Sequence, residues 1–344
     1  MPLQIIRQDI TKMKVDAIVN TTNESMIGYS GVDLAIHTLA GKELDAECER
    51  LAPLGLGEAK ITAGYGLPCR YIIHTSCPVW QDDHDDHDAL SYYKESVLYS
   101  CYTKSLKLAL DNGCTTVAFP LISADLYGYL SERLQHITVE AITKFLFEHE
   151  MTVYLCVFDN DSCVCPFDLH YNILKFIKNG YVQTHGDWFY DDDVARRSIA
   201  PPSLSVPPLS TYGRIQRSVD ARDLRDYIRH MDKSFREMLF DLIDERGMSE
   251  IECYKKANVD RRVFSKIKSN PDYRPSRQTA VAFAIALQLD LEQTQALLAT
   301  VGLTLSGSNL FDKIIQYFIY TKNYNVFEIN EALFEFDQPL LGSV

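Results

Sequence analysis

The sequence predicts an α/β fold, with helices on both faces of a sheet, followed by a separate all-helical domain. Three observations carry this expectation. Residues 1–182 alternate short runs rich in Val, Ile, Tyr and Thr with helix-length patterns, as a helix-covered sheet requires. The composition then breaks. Residues 183–218 hold Asp191-Asp192-Asp193, Pro201-Pro202 and Pro207-Pro208 with little apolar periodicity, which reads as a flexible linker. From Val219 onward the pattern is helical. The chain of 344 residues is longer than one domain ordinarily needs, so domains are expected over 1–182 and 219–344, joined by 183–218.

The expected strands are Gln4–Arg7, Ala17–Asn20, Lys60–Ala63, Tyr71–Thr75, Thr116–Pro120 and Thr152–Phe158, each compact and β-branched or aromatic. The expected helices between them are Val32–Leu51, Ala89–Asn112 and Ser131–Glu148. In the second, Leu90, Tyr93, Val97, Cys101 and Leu108 fall near one face, the spacing of an amphipathic helix. In the C-terminal part, Ser249 caps a helix running to Ala257, Asn258 breaks it, and Asp260 caps the next, Arg261–Ser269. Asn270-Pro271 ends that one, and Ser276 starts the apolar stretch Thr279–Leu289. Two short helices joined by a tight turn have the form of a helix-turn-helix.

Composition excludes several classes. A formal net charge of −13 argues against indiscriminate binding to nucleic acid or membrane surfaces. Neither a leader peptide nor an apolar run of spanning length is seen, so no membrane partner is expected. Nine cysteines, odd in number and set in apolar stretches, read as reduced thiols of a cytoplasmic protein. Asp82–Asp88 (DDHDDHD) reads as a solvated acidic loop, and Cys163-x-Cys165 lacks the second ligand pair of a zinc site, so no metal is expected.

A series of motifs occurs in order along the first half: Gln8-Asp9-Ile10-Thr11, Asp16–Asn23 (DAIVNTTN), Gly28–His37 (GYSGVDLAIH), Gly57-Glu58-Ala59, His74–Trp80 (HTSCPVW) and Phe119–Tyr129 (FPLISADLYGY). The glycines of Gly28–Gly31 let a backbone approach a diphosphate, and the helix N-terminus that follows presents free N–H groups to it. This series resembles the macrodomain family over roughly residues 1–180, within it the branch of mono-ADP-ribosyl hydrolases. The resemblance implies a three-layer α/β/α fold with a mixed central sheet, and ADP-ribose as ligand with no cofactor required. It places Asp9 at the adenine, Ile10 among the ligand contacts, Asn23 at the distal ribose, and Gly28, Gly31 and Val32 at the diphosphate. It gives Asp33 the positioning or activation of water, while Ser123, Ala124, Asp125, Leu126 and Tyr127 form a second phosphate loop.

The sequence departs from that branch where Tyr29 and Ser30 replace glycines and Ala124-Asp125 replace Thr-Gly. A carboxylate about 5 Å from a phosphate charge, at an effective dielectric of ~20, is repelled by roughly 3 kcal/mol. Two readings therefore stand. One is a hydrolase removing mono-ADP-ribose from proteins or deacylating O-acyl-ADP-ribose, with Asn23 and Asp33 catalytic. The other is a non-catalytic sensor that signals through the helical domain.

Residues 230–344 resemble the helical domain that accompanies macrodomains in certain bacterial proteins. Between Arg246 and Arg277 there are nine Lys/Arg against four Asp/Glu. Arg261, Arg262, Lys266 and Lys268 lie on the candidate recognition helix, where they suit DNA phosphates and base edges. Val263, Phe264 and Ile267 would be its buried face, which would leave the basic residues a solvated outer surface; contact with a protein partner and a purely structural role are the alternatives to DNA binding.

Overall fold

The computed structural model describes residues 2–77, 89–122, 132–157, 167–184 and 233–342. Six strands form one sheet: β1 (Leu3–Arg7), β2 (Ala17–Thr22), β3 (Ala59–Ala63), β4 (Tyr71–Ser76), β5 (Thr116–Pro120) and β6 (Thr152–Val157). Their order is β1-β6-β5-β2-β4-β3. Every neighbouring pair is parallel except β3–β4, so the sheet is mixed. The central strands read as near-continuous apolar runs because both their faces are covered.

Helices α1 (Gly31–Ala40) and α2 (Lys42–Leu51) cover one face, where Ile18, Ile36, Leu44, Cys48 and Ile72 form a core. Helices α3 (Ala89–Asp111) and α4 (Glu132–Glu148) cover the other, around Val19, Ile73, Leu98, Tyr102 and Phe119. The single helix expected over Val32–Leu51 is two. Gly41, at φ +95°, turns the chain between them, a conformation open to glycine because it has no Cβ. Helix α5 (Phe167–Thr184) follows β6 and inserts the fully buried Ile173 into the core of the C-terminal half.

Among its described residues that half is built of helices joined by turns: α6 (Phe235–Glu245), α7 (Glu250–Lys256), α8 (Arg261–Ser269), α9 (Arg277–Ala286), α10 (Leu291–Ala299), α11 (Leu310–Tyr320) and α12 (Val326–Glu335). The caps read from the sequence are formed. Ser249 accepts from Glu252 N, Asp260 from Arg262 N and Ser276 from Thr279 N. Helix α9 is buried on every side, as its apolar run requires.

The two halves meet at the edge of the sheet. Strand β1 has a neighbour on one side only, so the outward N–H and C=O of Leu3 need other partners. Asn258, in the turn between α7 and α8, supplies both: its Oδ1 accepts from Leu3 N and its Nδ2 donates to Leu3 O, each at 2.9 Å. Its side-chain amide thus stands in for a strand's peptide group. Tyr254 donates to Glu150, Lys255 to the carbonyl of Phe147, and Phe334 of α12 packs on Ile5 and Val157. Arg7 pairs with Asp337 and lies over the Phe334 ring at 4.4 Å.

Candidate functional site

Strand β2 ends at Thr22, and the chain from Asn23 to Ser30 connects it to α1 at the carboxyl end of the sheet. Ligands of such sheets sit there. This connection is fixed at four points. Met26 is buried and its N–H donates to Asn23 O. A Cβ on Gly28 would lie 2.7 Å from His37 Cβ and Cγ, so glycine is needed for the backbone to approach so closely. The Tyr29 N–H donates to Asp33 Oδ2 at 3.3 Å, and Leu34 N donates to Ser30 O at 3.2 Å. Gly31, at φ +54°, opens α1. The Ser30 side chain makes no capping hydrogen bond, which leaves the first amides of α1, those of Val32 and Asp33, without a side-chain cap.

Asp33 lies beneath this loop, only 6% exposed. Oδ1 accepts from Asn20 Nδ2 at 2.7 Å, and Oδ2 accepts from Thr22 Oγ1 at 3.0 Å as well as from Tyr29 N. The carboxylate therefore ties the loop to β2. His37, one turn along α1, sets Nε2 3.5 Å from Asp33 Oδ1 and Nδ1 2.7 Å from Asp45 Oδ1.

Behind Asp33 is a buried polar network that the sequence reading missed. Asn20 and His74 face each other in the β2–β4 register, with Asn20 Nδ2 3.2 Å from His74 Nδ1. Because that amide nitrogen donates, Nδ1 accepts, and the neutral ring carries its proton on Nε2, 3.0 Å from Thr62 Oγ1. Burial, then the nearby His37, pushes the His74 pKa down to about 3. The available signal was a polar residue inside an apolar strand, Asn in Ala17–Asn20 and His in Tyr71–Thr75. Such a residue demands a buried partner.

His37, Cys48 and His74 bring ligating atoms within 4.8 Å of one another, the one such group among the described residues. His74 already spends both nitrogens on Asn20 and Thr62, and burial raises the Cys48 thiol to about 12. The group serves as internal polar packing, and a metal would have to displace those hydrogen bonds.

Asn23 is exposed, its Oδ1 accepting from Ser25 Oγ at 2.6 Å. A cavity of about 620 Å³ adjoins it, lined by Asn23, Glu24, Ser25, Ala52 and Pro53. Asp9 caps the short turn Ile10–Lys12, accepting from Thr11 N and Thr11 Oγ1, with Lys12 Nζ 3.2 Å away. Partial burial raises its carboxyl, but the Thr11 hydrogen bonds and the Lys12 cation outweigh this and hold it below the usual range. Ile10 is buried beside it. Asp9, Ile10, Asn23, Gly28, Gly31, Val32 and Asp33 thus fall at one end of the sheet. Ser123, Ala124, Asp125, Leu126 and Tyr127 lie outside the described residues, as do Asp82–Asp88, the Cys163-x-Cys165 pair and residues 185–218 of the expected linker.

On α8, Phe264 and Ile267 are buried and Arg261, Arg262, Lys266 and Lys268 face outward. Lys268 is paired with Glu250 at 2.7 Å. The turn before α8 is the part that grips β1, and Val263 helps line a cavity of about 520 Å³ between β1 and the helical half.

A family model described as Macro domain matches residues 19–138. A macro domain-containing protein of Methanosarcina mazei is 48% identical over 163 residues, which span 47% of this chain and 83% of that protein. The ADP-ribose glycohydrolase MACROD1 of Bos taurus is 40% identical over 159 residues, 45% of this chain and 47% of that protein. A solved macrodomain of Oceanobacillus iheyensis with ADP is 33% identical, covering 52% of this chain and 92% of its own, with a TM-score of 0.42. No described helix is long and apolar enough to cross a membrane.

Proposed function

The chain belongs to the macro domain family through its N-terminal half, and on that premise we propose that it binds ADP-ribose and hydrolyses its linkage to an acidic protein side chain. The observation that carries this reading is the pinned loop ahead of α1, with its glycines and uncapped helix amides at the carboxyl end of the sheet. A diphosphate laid there meets main-chain N–H groups already in place, so binding needs no reorganisation. Asp9, held ionised by Thr11 and Lys12, can accept from an adenine amino group. Asn23 presents an exposed amide where the distal ribose would follow.

Asp33 acts in this scheme as a positioning residue. Both its oxygens are engaged, and what it holds is the Tyr29 amide and hence the loop. Water is the only co-reactant, oriented by Asn23 and the substrate's own phosphate, and neither a cofactor nor a covalent nucleophile is required. Sequence similarity to an ADP-ribose glycohydrolase supports the reaction class.

We read the helical half as a contact module of this same chain rather than a DNA reader. In helix-turn-helix proteins the N-terminal end of the second helix meets base edges. Here that end adjoins the turn docked on β1 through Asn258.

The test is calorimetric titration with ADP-ribose followed by turnover of a mono-ADP-ribosylated protein. ADP-ribose at a hundred times its Kd should stabilise the protein by about 2.7 kcal/mol. Asn23→Ala should abolish turnover with the fold intact, and Asp33→Ala should lose both binding and turnover. An unshifted melting curve in excess ADP-ribose, or full turnover by Asn23→Ala, refutes the assignment.

A further inference from the structure

We propose that Arg7 and Phe334 are positioning residues for the nucleotide site: through them the helical half holds the carboxyl end of β1 and so sets Asp9 against the adenine. This rests on the reading of Asp9 given above. Strand β1 lies at the sheet edge, with β6 as its single neighbour in the sheet. Successive side chains of a strand face opposite ways, and Ile6 packs with the core under α1 and α2. Ile5 and Val157 belong to neither large core of the N-terminal half. They form a small core of their own whose third buried member is Phe334 of α12, with Leu121 and Leu340 at its margin. Much of the cover at this end of the sheet is therefore supplied by the helical half.

From there the route to Asp9 is two residues long. Arg7 sets its guanidinium over the Phe334 ring, 4.4 Å from the centroid, and pairs with Asp337 just beyond α12. Only Gln8 separates Arg7 from Asp9, and the Gln8 N–H donates to Val157 O at 3.1 Å. On the far side of Asp9, Ile10 is buried in the core under α1. Asp9 thus hangs between two anchors, Ile10 in the N-terminal half and Arg7 against α12. Its contacts with Thr11 and Lys12 fix the carboxylate relative to the turn, whereas the place of the turn depends on both anchors. A hydrogen bond weakens steeply with misalignment, so freeing one anchor removes the adenine contact and spares the diphosphate contacts at α1. The coupling is reciprocal: ADP-ribose tightens the docking of α12 by the factor that docking tightens ADP-ribose.

The experiment titrates full chains calorimetrically with ADP-ribose and with the analogue that carries unsubstituted purine in place of adenine. The ligands share diphosphate and riboses, so their affinity ratio isolates the amino group and cancels any attraction of the Arg7 cation for phosphate. Wild type should prefer ADP-ribose about tenfold, as a hydrogen bond to a charged acceptor provides. Arg7→Gln and Phe334→Ala should cut that preference to about twofold while affinity for the purine analogue is kept, and Arg7→Lys should retain it. The Arg7 and Asp337 side chains reach solvent, at 27% and 79% exposed, so Arg7→Gln keeps the fold even where Phe334→Ala does not. In an Asp9→Asn background Arg7→Gln should change nothing further, because its effect passes through Asp9. An undiminished preference in Arg7→Gln overturns the proposal, and so does a further loss in the Asp9→Asn background. An equal loss on both ligands overturns it as well, being the mark of a merely structural role. Binding by wild type without a preference removes the adenine contact and this proposal with it, leaving the diphosphate site standing. Failure of wild type to bind ADP-ribose overturns the site itself.

Discussion

His74 offers a sharp test of the buried network, because its protonation state is fixed by neighbours on three separate segments. The residue is fully buried in β4. Its Nδ1 faces the Asn20 amide nitrogen, which already donates to Asp33. A proton added at Nδ1 would set donor against donor, and the ring would carry a charge without water. The folded pKa of about 3 lies below the ordinary 6.5. Between those values the unfolded chain binds a proton that the native protein refuses. This contribution to stability is therefore complete above pH 6.5 and is lost as the pH falls towards 3. The slope is about 1.4 kcal/mol per pH unit, so roughly 3 kcal/mol disappears between pH 7 and 4. The assay is urea unfolding of wild type and His74→Gln across that range. Asp9 and Asp16, whose carboxyls also lie below their usual range, lose stability in the same direction. Both proteins contain them, so they cancel in the difference. The stability gap between wild type and variant should shrink by about 3 kcal/mol on acidification. Parallel pH profiles would refute the neutral, buried assignment.

Two further outcomes follow from the geometry. Asn258→Ala strips Leu3 of both edge hydrogen bonds and places alanine at φ +55°, so it should cost about 2–4 kcal/mol and split a shared unfolding transition of the two halves, read by calorimetry. An unchanged melt would mean the docking contact is dispensable. Gly28→Ala drives a Cβ to 2.7 Å from His37 and should destabilise the protein by about 1–3 kcal/mol while weakening ADP-ribose binding, checked by thermal melting and titration. If both stay as in wild type, the loop is looser than described.

How much was legible in the sequence follows the range of the forces involved. Strand runs, amphipathic spacing and the caps at Ser249, Asp260 and Ser276 act within a few residues, so each could be read directly. The break at Gly41 was written in the sequence too, although continuous periodicity on either side concealed it. The order of motifs from Asp9 to Asp33 located one end of the sheet. It did not show that Asp33 is spent on holding the loop, because Asn20 and Thr22 become its partners only after β2 and α1 have packed.

The chain's own order of residues thus settled the fold class, the helix starts and the loop at the sheet's carboxyl end. Tertiary structure decided the pairing of Asn20 with His74, 54 positions apart, and of Leu3 with Asn258, 255 apart. The physical reason is that a buried polar group must find a partner, and which one it finds depends on strand register and on how one half of the chain lies against the other.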